Sequence, residues 1–126
     1  MHVLRRMIDA VKPGGIALDL QFIRPNPRAE LENMVVCDID GAPLFAKADA
    51  AVAAVDALIA TGRLVEEAVD DHDVLKHYSN GTDLLDDWER TERRPLGDGA
   101  ARLREIRRPC ISRERCRLRR LRVCGG

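Results

Sequence analysis

Aromatic residues are scarce: the 126-residue chain has two Phe, one Tyr and one Trp. Residues 102–122 contain neither Phe nor Tyr, so they offer no ring on which a nucleic-acid base could stack. Long apolar runs are also missing. No stretch approaches the ~18 residues of a membrane span, and Arg5 and Arg6 lead into a mixed segment rather than the apolar core of a signal peptide. A cytoplasmic protein with free thiols is expected. Cysteines are few: Cys37, Cys110, Cys116 and Cys124. None form a CxxC pair, and a structural zinc needs paired ligands at short spacing, so no metal site is expected. Cys124, beside the terminal glycines, reads as an exposed thiol. Lysine is nearly absent, with 3 Lys against 18 Arg, a compositional bias as much as a functional sign.

What is present suits one globular domain. Apolar residues make up 45% and charged residues 33%, a balance that folds rather than stays disordered. The formal net charge of zero hides an asymmetry. Residues 1–100 carry 11 Lys+Arg against 19 Asp+Glu, while residues 101–126 carry 10 Arg against Glu105 and Glu114. An acidic body of charge −8 thus precedes a basic segment of charge +8.

Hydrophobic periodicity gives the coarse organisation. Met7, Ile8 and Val11, with Val3 or Leu4, make one apolar helix face over 2–11. Lys12-Pro13-Gly14-Gly15 stops that helix, and Ile16 to Ile23 (IALDLQFI) reads as a buried strand. Arg24-Pro25-Asn26-Pro27 is an extended loop. Met34 to Phe45 reads as a short hairpin turning at Asp40-Gly41. Lys47 to Thr61, rich in alanine, is the clearest helix, with Gly62 as its stop. Residues 64–69 begin a strand or run irregularly, Asp70-Asp71-His72-Asp73 is a charge cluster, and 74–78 read as strand. Thr82 is an N-cap for a helix over 83–93 whose apolar face holds Leu84, Leu85 and Trp88. Residues 100–106 form a short helix. Cys110 to Val123 is a strand whose apolar parity changes, which a bulge near Arg119-Arg120 would reconcile.

The string HVLRRMIDAVKPGGIALDL resembles the last crossover helix, "KPGG" turn and fifth strand of class I S-adenosylmethionine-dependent methyltransferases. Leu4, Val11, Lys12, Pro13, Gly14, Gly15, Ile16 and Leu18 match that pattern, which covers about 20 residues. The resemblance implies an α/β fold: a partial doubly wound, Rossmann-like sheet lacking its N-terminal, cofactor-binding half. The family's glycine-rich loop and the acidic residue ending its second strand have no counterpart, since no GxGxG occurs in the chain. The expected protein is therefore a single methyltransferase-like half-domain over 1–126, with an Arg-rich terminal strand over 101–126. It would be unable to bind S-adenosylmethionine alone, and would be active only with a missing half or a partner. Pro13, Gly14 and Gly15 would be structural. Gln21, Arg24 and Asn26 would face the substrate side, against the simpler reading of Arg24 and Asn26 as solvated loop residues.

Other constellations point less far. His72 and His77 are five residues apart and share no helix face, so with Asp70, Asp71 and Asp73 they read as an acidic surface. His72 as a general base has no nucleophile beside it. Trp88 reads as core. The arginines of 102–122 suit phosphates, and equally a strand with one wet face packed near the acidic body. A half-sheet leaves strand edges and an apolar face uncovered. Dimerisation or pairing with a complementary N-terminal half is expected. The alternative function is a nucleic-acid or protein interaction domain using the Arg-rich segment.

Overall fold

A computed structural model describes residues 11–124. Apart from Val11, the helix expected over 2–11 lies outside the described residues. The described chain runs β1 (Ile16–Phe22), β2 (Arg28–Leu31), β3 (Met34–Asp38), α1 (Ala42–Ala60), β4 (Leu64–Tyr78), α2 (Gly81–Arg90), α3 (Gly99–Arg104) and β5 (Cys110–Val123). It divides into two compact units.

Of the described residues, the first unit holds 11–23, 44–72 and 116–124. The Pro13-Gly14-Gly15 turn locks β1 to the end of β5. Gly14, at φ +82°, takes a conformation L residues avoid, and its N–H donates to the Val123 carbonyl at 2.7 Å. A side chain on Gly15 would strike Val11 Cγ1 at 2.6 Å. β1 then pairs antiparallel with β5, from Ile16↔Arg122 to Phe22↔Cys116. Alanine-rich α1 ends in a Schellman motif: the Gly62 N–H donates to Ile59 O, the Arg63 N–H to Leu58 O, and Gly62 takes φ +77°. This returns the chain so that Leu64, at the start of β4, joins Val55, Leu58, Leu121 and Val123 in the core, with Val11, Ala17 and Ile59 packed against it.

The second unit holds 24–43 and 73–115. β2 and β3 form a hairpin through Glu32 (φ +50°) and Asn33 (φ +67°). Two central residues of positive φ make the primed turn that matches strand twist. The register slips by one between Ala29 and Glu30, and this bulge lets consecutive residues Val36 and Cys37 both be buried. β2 also pairs antiparallel with β5, with Ala29↔Ser112 in register. The core here is Ile39, Leu84, Leu85, Trp88 and Leu103. α2 starts where the Asn80 side chain accepts the Asp83 N–H at 2.8 Å.

The doubly wound α/β fold is overturned. β1 with β5, β2 with β5, and β2 with β3 are all antiparallel, whereas a doubly wound sheet is built from parallel strands joined by crossover helices. Residues 16–22 are a strand as expected, but their neighbour is the chain's own C-terminal strand. Several local expectations change too. The hairpin turns at Glu32-Asn33, not Asp40-Gly41. The Asp40 carboxylate instead accepts the Ala42 N–H at 3.1 Å, so α1 begins five residues earlier than its alanine run suggests. Asn80 caps α2, not Thr82. Residues 64–78 are one strand. In β5 the buried positions change from even (Cys110, Ser112, Glu114, Cys116) to odd (Arg119, Leu121, Val123). The pairing with β1 crosses 119–120 without a slip, so no bulge lies there. Each unit simply covers its own stretch of β5 on a different parity.

Gly81 is fixed by packing. A Cβ there would fall on the Leu103 carbonyl oxygen of α3. Gly81→Ala should therefore cost about 1–3 kcal/mol in urea unfolding, with an unchanged slope against denaturant. An unchanged midpoint would show that the α2–α3 contact is not as close as described.

Candidate functional site

β5 carries six arginines, at 113, 115, 117, 119, 120 and 122. Strand geometry sends them to both faces, and each meets a carboxylate. In the second unit the Arg113 guanidinium reaches Glu30 at 2.7 Å and Asp73 at 2.8 Å. Arg28 shares Glu30 at 2.7 Å, and Arg115 shares Asp73 at 3.1 Å. In the first unit Arg117 grips Asp71 with two bonds of 2.8 and 2.9 Å. Buried Arg119 meets Glu66 at 2.6 Å and Asp56 at 3.0 Å. Arg120 and Arg122 share Glu67 at 3.2 and 2.8 Å. Six carboxylates thus answer six guanidiniums, and most come from the acidic stretch of β4. β4 is itself a strand neighbour of β5.

These contacts lower the titration of Glu30, Asp73 and Glu67. The hydrogen bond from Arg113, more than that from Arg28, holds Glu30 below its ordinary range, against the opposing effect of burial. Arg113 and then Arg115 do the same for Asp73, and Arg122 with Arg120 for Glu67. Fork-shaped guanidinium–carboxylate pairs of this kind are the stronger class of charge-assisted bond.

The residues expected to face a substrate are separated. Gln21 lies on β1 of the first unit, and its amide donates to Asp19 Oδ1 at 2.9 Å. Arg24 and Asn26 lie in the loop before β2 in the second unit, where the Arg24-Pro25 peptide is cis. Asn26 lines a cleft of about 60 Å³ with Pro25, Arg28, Asp73, Arg113 and Arg115. That space suits a few waters and is too small for a nucleoside. Among the described residues no glycine-rich loop follows a strand. Pro13, Gly14 and Gly15 form the turn described above, at the β1–β5 junction.

Cys37, Cys110 and Tyr78 are held in their protonated forms. Burial pushes the Cys37 thiol up to about 11, although nearby Arg102 pulls the other way; burial also raises Cys110. A thiol that stays protonated at neutral pH is a poor nucleophile. Burial, then the bond that its hydroxyl donates to Asp87 at 2.5 Å, pushes Tyr78 up to about 12. His72 Nδ1 lies 3.1 Å from Asp70. Among the described residues no group of three or more His, Cys, Asp or Glu is placed to hold a metal, and no helix is long and apolar enough to cross a membrane.

The feature that sequence reading missed is the surface of β1. Its odd positions Ala17, Asp19 and Gln21 lie on the side of the α1 core, where Ala17 packs. Its even positions Leu18 and Leu20 are 64% and 55% exposed. The usual pattern is inverted, with polar residues inward and leucines outward. The reason lies across the strand. Asp19 is opposite Arg119 and Gln21 opposite Arg117, while Leu20 is opposite Leu118. The alternation of Leu18-Asp19-Leu20-Gln21 carried the signal, but an apolar run bounded by glycine and proline reads as wholly buried. Among the described residues β1 has β5 as its sole strand neighbour, and no described strand pairs with its outer edge.

Glu30 gives a pH test. An acid whose folded value is depressed contributes fully above its unfolded value and loses that contribution as pH falls through the folded one. Glu30→Gln should destabilise the protein by about 1–3 kcal/mol at pH 7. Its stability should also fall less steeply than that of the unsubstituted chain below the ordinary Glu value of 4.5. Urea unfolding at several pH values measures both, and parallel curves would show Glu30 unpaired.

No protein family matches the chain, and neither does a curated protein or a solved structure.

Proposed function

We propose that this chain is a protein-interaction module that works by strand addition at the outer edge of β1, rather than through its arginines. The observation that carries this reading is the outward-facing Leu18–Leu20 surface on a strand whose outer edge no described strand pairs with. An extended edge strand is a template for another strand, and the exposed leucines beside it add apolar area for a partner. β1 has no proline, no lysine and no bulge within 16–22, and its one charged residue, Asp19, is on the inward side, the only one of the usual guards that it carries.

The rival use of the Arg-rich segment, on nucleic-acid phosphates, finds less support. Phosphate binding draws on free cationic charge, and each guanidinium of β5 already has a carboxylate. Methyl transfer also has less to rest on, because the α/β sheet that the resemblance implied is replaced by an antiparallel one and the match is confined to the residue string ending at the start of β1.

Two measurements test the reading. Amide hydrogen exchange in dilute protein should show alternate amides of residues 16–22 exchanging fast and the rest slowly, as an edge strand does. Slow exchange throughout would mean the edge is covered within the chain, and would overturn the proposal. Anisotropy of a labelled duplex and of a labelled single strand at low salt should not change on adding the protein. Binding that weakens with added salt would instead assign the arginines to a nucleic acid.

A further inference from the structure

The outer edge of β1 is self-complementary, and we infer that its partner is a second copy of this chain, paired β1 to β1 antiparallel with Leu20 on the two-fold axis. This rests on the strand-addition reading and names the occupant.

Symmetry limits the choices. Two identical antiparallel edge strands are related by a two-fold axis perpendicular to the sheet, so opposed residues point to the same face and the axis passes through one residue position. Centring on Asp19 sets two carboxylates directly opposite each other, a destabilising pair. Centring on Leu18 sets Asp19 opposite Ala17. Centring on Leu20 sets Leu20 against its own copy, Leu18 against Phe22, and Asp19 against Gln21. Apolar then meets apolar on one face, and carboxylate meets amide on the other.

In the Leu20-centred pairing the second copy's Gln21 amide, which has two N–H donors, stands opposite Asp19, whose Oδ1 accepts from Gln21 of the same chain at 2.9 Å. The inverted alternation of β1 points the same way. Polar Asp19 and Gln21 lie on the side already packed against α1, and the leucines lie on the side left for a partner. Val11, the last residue of the apolar stripe read over 2–11, packs on the α1 side, away from Leu18 and Leu20.

The test is disulfide trapping of the full chain. The background carries Cys124→Ser, because Cys37, Cys110 and Cys116 are buried and Cys124 is partly exposed. Opposed residues in antiparallel strands have Cα atoms about 4.5–5.5 Å apart, within disulfide reach. Leu20→Cys should therefore give a covalent dimer under mild oxidation. Leu18→Cys should not, since residue 18 and its copy would stand four positions apart, about 13 Å at ~3.3 Å per residue. An equimolar mixture of Leu18→Cys and Phe22→Cys chains should link across. Sedimentation equilibrium of the unsubstituted chain should show a monomer–dimer equilibrium, and Leu20→Lys, which places like charges on the axis, should weaken it at least tenfold while circular dichroism stays unchanged. Monomers at every concentration with fast-exchanging β1 amides would overturn the second copy while leaving strand addition in place. Equal trapping by Leu18→Cys and Leu20→Cys would overturn the register.

Discussion

The buried guanidinium of Arg119 must find counter-charges for β5 to sit inside a sheet, while the other five arginines of the strand pair with carboxylates at its part-exposed surface. Burying an arginine without a partner is expensive, and Arg119 is only 6% exposed. The acidic run of β4, with Glu30 and Asp56, meets that need. β5 is also the strand with which β1, β2 and β4 all pair, and it contributes residues to both compact units. The pairing of Arg119 with Glu66 and Asp56 is thus a condition for burying that part of the sheet. The charge pairing as a whole explains why a chain of zero net charge divides into an acidic body and a basic end: the two halves of that asymmetry meet as neighbouring strands.

The same pairing shapes the surface. Arg117 and Arg119 require polar company on the side of β5 that bears Leu121, and Asp19 and Gln21 of β1 supply it. The leucines of β1 are consequently displaced to the other face, Leu20 opposite Leu118 and Leu18 opposite Arg120. A charge requirement on the central strand produces an apolar outer face on its neighbour, and that face is the interaction surface of the proposal. Function, in this account, follows from where the charges leave the leucines.

Much of the element order was legible. The β1 segment, the alanine-rich helix, the Leu84-Leu85-Trp88 face and the C-terminal strand all follow from local pattern. Pairing direction was not legible, because an apolar run of seven residues has the same look in a parallel and an antiparallel sheet. The resemblance to a methyltransferase strand filled that gap with a parallel neighbour, and β5 occupies its place. Local competition decided the turns: Asp40-Gly41 has the composition of a hairpin, yet the Asp40 carboxylate is used to cap α1, while Glu32 and Asn33 take the positive φ. The Asp70-Asp71-His72-Asp73 cluster looked like solvated surface because the arginine partners of Asp71 and Asp73 are 40 or more positions away. Opposite-sign runs of similar length, one acidic over 66–73 and one basic over 113–122, were the signal that they would pair.

The most direct measurement of the central claim is nuclear magnetic resonance of the arginine Nε–H groups. The Nε atoms of Arg113, Arg117, Arg119 and Arg122 each donate to a carboxylate. Their resonances should be dispersed and slow to exchange at neutral pH, and should merge with the solvent-exposed signals when the carboxylates are protonated in acid. If all the arginine signals instead overlap and exchange quickly at neutral pH, the charges of β5 are free and the account of the sheet fails.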